Sequence, residues 1–299
     1  MPLHIPVLLD ESIQFLFTNP KGIYADLTTG EGGHSFSLAQ KLDKEGKLFC
    51  FDRDSQIQNL AKENLKDFSN IAFILSNFSQ ISLQLSQRQI KAGQVSGILA
   101  DLGLSMFHYK ESAKGFSFLQ NHPLDMSLDG ANPNAYDIVN TFSKEEIADI
   151  LFKYGEEHQS RKIAHFIESA RQIKKIENTG ELAQIIAKAK GFFKKGFHPA
   201  TKSFQALRIY INKELDNLLT MIEQSLNLLA VGGRLVIITY HSLEDRMVKQ
   251  FFKKQALENN FKLLTKKAIK ASPQEIALNP SARSARLRVL QKEEQNKEV

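Results

Sequence analysis

Gly22-Ile23-Tyr24-Ala25-Asp26-Leu27-Thr28-Thr29-Gly30-Glu31-Gly32-Gly33-His34-Ser35 reads as a short apolar strand that breaks on a run of glycines and reopens as an amphipathic helix. Asp52 answers it from the end of the next apolar run. This is the layout of a nucleotide-type cofactor site in an α/β fold. Glycines let the backbone turn sharply and approach a ligand that a side chain would exclude, and the later acid can hydrogen-bond a ribose diol. A dinucleotide fingerprint needs a third small residue for close helix packing, and counting from Gly30 and Gly32 that place is Ser35, so the match is incomplete. No G-x-x-x-x-G-K-[ST] occurs, which excludes a triphosphate P-loop. An S-adenosylmethionine site needs the glycine turn and the ribose acid but has no pyrophosphate to cradle.

Outward from this turn, the first hundred residues alternate as a doubly wound sheet requires. Apolar runs at 22–27, 47–52, 71–75 and 97–102 predict strands, with helical patterns at 34–43, 55–67 and 79–91 between them. The next clear strand is Arg234 to Tyr240, announced by Gly232-Gly233 after a helical pattern running from Phe204 to Ala230. The interval before it is too long for a structureless loop and carries helical patterns at 143–154, 157–175 and 179–190, so it predicts an inserted helical subdomain. We place the α/β core at 1–105 and 197–299, and the insertion, expected to recognise substrate, at 106–196. Short strands at 261–264 and 286–290 predict a closing hairpin.

The 299 residues are 42% hydrophobic, enough for a substantial core. The single cysteine, Cys50, excludes an internal disulfide and a multi-cysteine zinc site, and its aromatic neighbours predict a buried thiol. No metal is expected. Neither a signal sequence nor an apolar run of membrane-spanning length is present, which points to a cytoplasmic protein without a membrane partner. The net charge of +6 is strongly segregated: residues 161–213 carry twelve Lys/Arg against three Glu, and residues 246–288 carry eleven against two acids. Two such segments beside an acidic remainder suggest a polyanion-facing surface, with the run Lys188, Lys190, Lys194 and Lys195 as a candidate contact.

Open α/β sheets bind ligands beyond the carboxyl ends of their strands. There the chain offers Gly30 to His34, then Asp52, Asn77 and Phe78, Asp101, and finally Tyr240 and His241. Phe78 could cover an adenine face, and Asp101 is better placed to meet a ligand than to support a core. Ser242, with an acid three residues on, reads as a helix N-cap.

Several stretches together resemble the RsmH (MraW) family. They are Asp26 to Ser35, Asp101-Leu102-Gly103-Leu104-Ser105, Lys114-Gly115-Phe116-Ser117-Phe118, Pro123-Leu124-Asp125-Met126, His198 to Ile209, His241-Ser242-Leu243-Glu244-Asp245-Arg246 and Ala282 to Arg288. The resemblance spans nearly the whole chain. It implies a Rossmann-like methyltransferase core with a helical insertion and S-adenosyl-L-methionine as cofactor. The implied activity is methylation of a decoding-centre (P-site) cytidine at N4 in 16S rRNA, on the small ribosomal subunit. Carried over by position, the cofactor contacts are Gly32, Gly33, His34, Asp52, Phe78, Asp101 and His108. His108 stands where the family has glutamine, and Lys114 stands where it has arginine, keeping charge but losing the planar fork. An acceptor is needed for the amine hydrogens as charge builds on nitrogen; Asp101 is the candidate, with His241 a weaker one. Two rival classes are a nicotinamide oxidoreductase, which would want a third small residue at position 35, and a non-catalytic ribosome-assembly factor, which leaves Asp52 and Asp101 at strand ends without a reason.

Overall fold

The computed structural model describes residues 5–103, 114–130, 133–191 and 198–294. Two compact units are formed, one from Met1–Gly103 with Asp216–Val299 and one from Leu104–Leu215.

The first unit is a seven-stranded sheet, β1 (Ile23–Asp26), β2 (Lys47–Asp52), β3 (Ile71–Leu75), β4 (Val95–Asp101), β5 (Leu229–Thr239), β6 (Phe261–Leu263) and β7 (Arg286–Lys292). Their order across the sheet is β3-β2-β1-β4-β5-β7-β6. β1 to β5 are parallel, and β7 lies between β5 and β6, antiparallel to both. Helices cover both faces, so the central strands are near-continuous apolar runs such as Ile98-Leu99-Ala100 and Leu235-Val236-Ile237-Ile238, all buried. One face packs Ile81, Leu85, Met221, Ile222, Val248 and Phe252, the other Ile13, Leu16, Leu38, Ala61 and Ala285. Cys50 is buried as expected, its thiol pushed up by burial and its Sγ 3.3 Å from Ser35 Oγ. Among the described residues no helix is long and apolar enough to cross a membrane.

Strand five begins earlier than its sequence pattern predicts. Leu229 pairs with Val95, the register then shifts, and regular pairing resumes at Arg234 with Gly97. Gly232 turns at φ 78°, and a Cβ on Gly233 would sit 2.7 Å from the Val95 carbonyl. The two glycines thus form a bulge inside the strand rather than its approach. The closing strands are antiparallel neighbours, but not a tight hairpin, because helix Pro273–Leu278 and a 3₁₀ turn intervene.

The second unit is helical: Ala135–Thr141, Lys144–Gly155, Ser160–Ile173, Thr179–Lys190 and Thr201–Ile211. Asn134 with Asp137 and Ser143 with Glu146 form reciprocal capping boxes, each satisfying backbone donors that a helix start leaves open. The expected boundary at 197 is corrected to 215. Helix Thr201–Ile211 crosses Lys144–Gly155 so closely that a Cβ on Gly155 would meet the Lys202 carbonyl at 2.6 Å. Buried Asn212 then donates to Met126 O at 2.8 Å and accepts from Leu128 N at 2.9 Å, tying the end of that helix to the start of the insertion. The single helical pattern expected from 204 to 230 is broken at Lys213, whose φ is 49°. Two resemblance blocks meet here: Phe118 stacks on His198 at 4.2 Å and meets Phe204 edge-on at 5.2 Å. Lys114 Nζ donates to Leu128 O at 3.1 Å.

Candidate active site

Strand order reverses between β1 and β4, since the chain runs outward to β2 and β3 before returning to β4 on the other side of β1. In open α/β sheets ligands bind at such a switch point, beyond the carboxyl ends of the strands. Asp26 is level with Cys50 on β2 and Leu99 on β4. Asp52 and Asp101 therefore both extend two residues beyond it, on strands about 10 Å apart across β1.

The turn after β1 is fastened from all sides. Leu27 N–H donates to Leu99 O and Thr29 N–H to Phe51 O, Thr28 Oγ1 accepts from Asp101 N at 2.7 Å, and Asn64 donates to Glu31 O at 2.9 Å. Gly30 and Gly32 take φ of 56° and 95°, which glycine adopts without strain. The amides that open helix Gly33–Ala39 have no earlier helical carbonyl to bond.

Ser35 is committed elsewhere. Its Oγ donates to Asp26 Oδ2 at 2.6 Å, and Thr28 N donates to Asp26 Oδ1 at 3.2 Å. Burial raises the Asp26 carboxyl, and neighbouring His34 and these hydrogen bonds offset part of the rise. The place where a dinucleotide fold needs a small packing residue is thus taken up by a polar contact under the turn.

Asp52 accepts from Gly30 N at 2.9 Å and from Asp54 N at 3.0 Å. Burial raises this carboxyl because two N–H donors do not replace its lost hydration. A ribose diol would supply the missing donors, and the left-handed glycines would let it approach. The residues present fit S-adenosylmethionine: Asp52 would take the ribose, the backbone of Gly32 and Gly33 would line the turn, and Phe78 would stand beside the base. Phe78 opens a 3₁₀ turn after β3 and is half-buried against the core.

The His34 expectation is narrowed. Its ring is buried, with Nε2 3.1 Å from the Val7 carbonyl, and desolvation lowers its pKa. What it can offer a cofactor is its backbone. His241, the weaker candidate acceptor, caps a helix: Nδ1 accepts from Glu244 N at 3.4 Å, and the Glu244 side chain reaches back to His241 N at 3.3 Å. Its buried Nε2 is 3.1 Å from Glu244 Oε1, angled off hydrogen-bond geometry. Ser242, expected as the N-cap, is the first helical residue instead. His108, Lys194 and Lys195 lie outside the described residues.

One support has no local signal in the sequence. A Cβ on Gly33 would stand 2.3 Å from Pro6 Cγ, and the turn Ile5 to Leu8 is itself held by Asn279 donating to Ile5 O at 3.0 Å and Leu8 N–H donating to Glu275 at 2.7 Å. The C-terminal helix thereby backs the cofactor turn across more than 240 residues of chain.

A family model described as the MraW methylase family matches residues 1–293. The chain belongs to this family. It is 44% identical to ribosomal RNA small subunit methyltransferase H of Clostridium botulinum (strain Kyoto / Type A2), over 97% of this chain and 98% of that protein. It is likewise 44% identical to the protein of the same name from Coprothermobacter proteolyticus, covering 97% and 96%, and 41% identical to that of Clostridioides difficile, covering 97% and 98%. As a MraW methylase the chain uses S-adenosylmethionine, which agrees with a turn that has a ribose acid and no pyrophosphate cradle. Asp52→Ala is expected to weaken S-adenosylmethionine binding by about 1.5–3 kcal/mol, the cost of a hydrogen bond to a charged group. Calorimetric titration measures this, and unchanged affinity removes Asp52 from the site.

Proposed function

We propose that this MraW-family methyltransferase transfers the methyl of S-adenosylmethionine to N4 of a P-site cytidine in 16S rRNA, acting on the assembled small subunit. The observation that carries the reading is the pair Asp52 and Asp101, one strand to either side of the glycine turn: one acid suits a ribose, and the other stands at the neighbouring strand end where a reacting amine would approach. Relatives named for small-subunit rRNA methylation support the substrate class.

The chemistry asks mainly for placement. The N4 lone pair is delocalised into the ring, so attack on the sulfonium methyl requires a close in-line approach. The N–C bond forms as the S–C bond breaks, with the S–C electron pair staying on sulfur. The extra proton on nitrogen passes to the Asp101 carboxylate and on to water. Positioning contributes up to about 7–11 kcal/mol in favourable cases, and a general base about 10²- to 10⁴-fold. The base must be unstacked to present its amine, and we assign its recognition to the helical insertion together with the basic segments.

Incubation with unmodified small subunits and labelled S-adenosylmethionine, followed by nucleoside mass spectrometry, tests the proposal. N4-methylcytidine at one position is the expected product. Methyl on a ring carbon or another base overturns the N4 assignment, and preferential methylation of free 16S rRNA overturns the subunit context.

A further inference from the structure

Asp101 does not stand alone at the end of β4. Its register partner on β5 is Ile238, so Tyr240 extends past the same edge on the neighbouring strand, two residues further on. The Tyr240 phenol stands against the Asp101 carboxylate, ring and carboxylate both bordering the space that a Cβ on Gly103 would fill. Gly103 completes the arrangement, its N–H donating to Asp101 Oδ1 at 3.2 Å. A Cβ on that glycine would lie 2.8 Å from the Tyr240 ring and 3.3 Å from Asp101 Oδ1, so Asp-x-Gly is the spacing that lets ring and carboxylate meet there.

We infer that Tyr240 is a positioning residue for methyl transfer, its O–H holding the Asp101 carboxylate in one orientation and favouring the ionised form that accepts from the substrate amine. This rests on Asp101 being the acceptor. Burial, then the Asp101 carboxylate, push the phenol well above its ordinary value, so it stays protonated and can donate. The negative charges of Glu244 and Glu275 act in the same direction. Asp26 faces Asp101 from β1, an acidic neighbour that disfavours a second negative charge and makes the donated hydrogen bond more consequential. A carboxylate has about four acceptor sites, so a bond from the phenol does not by itself exclude one from an incoming amine.

The test is Tyr240→Phe in the full-length enzyme, with small subunits as substrate. Single-turnover methyl transfer should slow about 10- to 100-fold, the effect of losing a hydrogen bond to a charged group, while S-adenosylmethionine affinity is unchanged. Because the lost donor stabilised the ionised carboxylate, the acid limb of the rate profile should move to higher pH. In an Asp101→Asn background the same substitution should cost little more. Wild-type rate and acid limb in Tyr240→Phe, with Asp101→Asn slow, overturn the role of Tyr240; a wild-type rate in Asp101→Asn overturns the acceptor reading itself and the Tyr240 role with it. Should Tyr240→Phe not fold, 3-fluorotyrosine at this position decides the matter. Its more acidic phenol is a stronger donor and should move the acid limb to lower pH, whereas an unmoved limb refutes the coupling.

Discussion

Asp101→Asn is expected to lower the rate of methyl transfer by about 10²- to 10⁴-fold, the span of general-base assistance, with small-subunit affinity unchanged. The substitution keeps the side-chain shape, and the amide oxygen can still accept from Gly103 N, which sits 3.2 Å from Oδ1. The backbone N–H of residue 101, bonded to Thr28 Oγ1 at 2.7 Å, is untouched, so the cofactor turn should keep its anchor. What is lost is negative charge at the point where the amine becomes positive. Single-turnover kinetics at saturating S-adenosylmethionine read that loss directly. A rate near wild type would mean that water or a backbone carbonyl takes the proton, because His241 is engaged as a helix cap.

Lys190→Glu is expected to destabilise the helical unit by about 3–5 kcal/mol, the cost of leaving a buried charge without its partner. Lys190 Nζ lies 2.6 Å from Glu157 Oε2, with the two side chains only 15% and 5% exposed. Reversal would set two carboxylates against each other. Lys188, two residues earlier on the same helix, is exposed, and Lys188→Glu should change stability by no more than about 0.5 kcal/mol. Thermal denaturation separates the two. The consequence for substrate binding is practical: reversing the whole run 188–195 would confuse unfolding with lost phosphate contacts, whereas Lys188→Glu isolates the surface. If Lys188 meets RNA, subunit affinity should fall and its salt dependence become shallower by about one phosphate contact. Unaltered affinity and slope would mark Lys188 as a solvated face. A Lys190→Glu protein that melts like wild type would refute the pair's role in the fold.

Local pattern made the core legible. Strands β2 and β3 have the bounds that their apolar runs predict, and β1 and β4 differ by one or two residues. A backbone that alternates strand and helix at this spacing has few ways to bury its apolar faces. A parallel sheet then brings every carboxyl end to one edge, so the glycine turn, Asp52 and Asp101 could be assembled from residue order alone. Local pattern was mute where partners are distant. An amphipathic helix such as Thr201–Ile211 shows that one face must be buried but not against what, and Asn212 and Gly155 settle that it packs within the insertion. Ser242 and His241 are both able to cap a helix start, and the choice falls to His241 because the Glu244 side chain reaches back to its N–H. Lys190 is indistinguishable in sequence from its exposed neighbour, and its burial depends on Glu157, 33 residues away. The Tyr240 and Asp101 contact joins residues 139 positions apart in number. Sequence period determined which residues reach the carboxyl edge of the sheet; tertiary packing decided which partners their polar groups take within the protein, because hydrogen-bond partners are set by proximity in space.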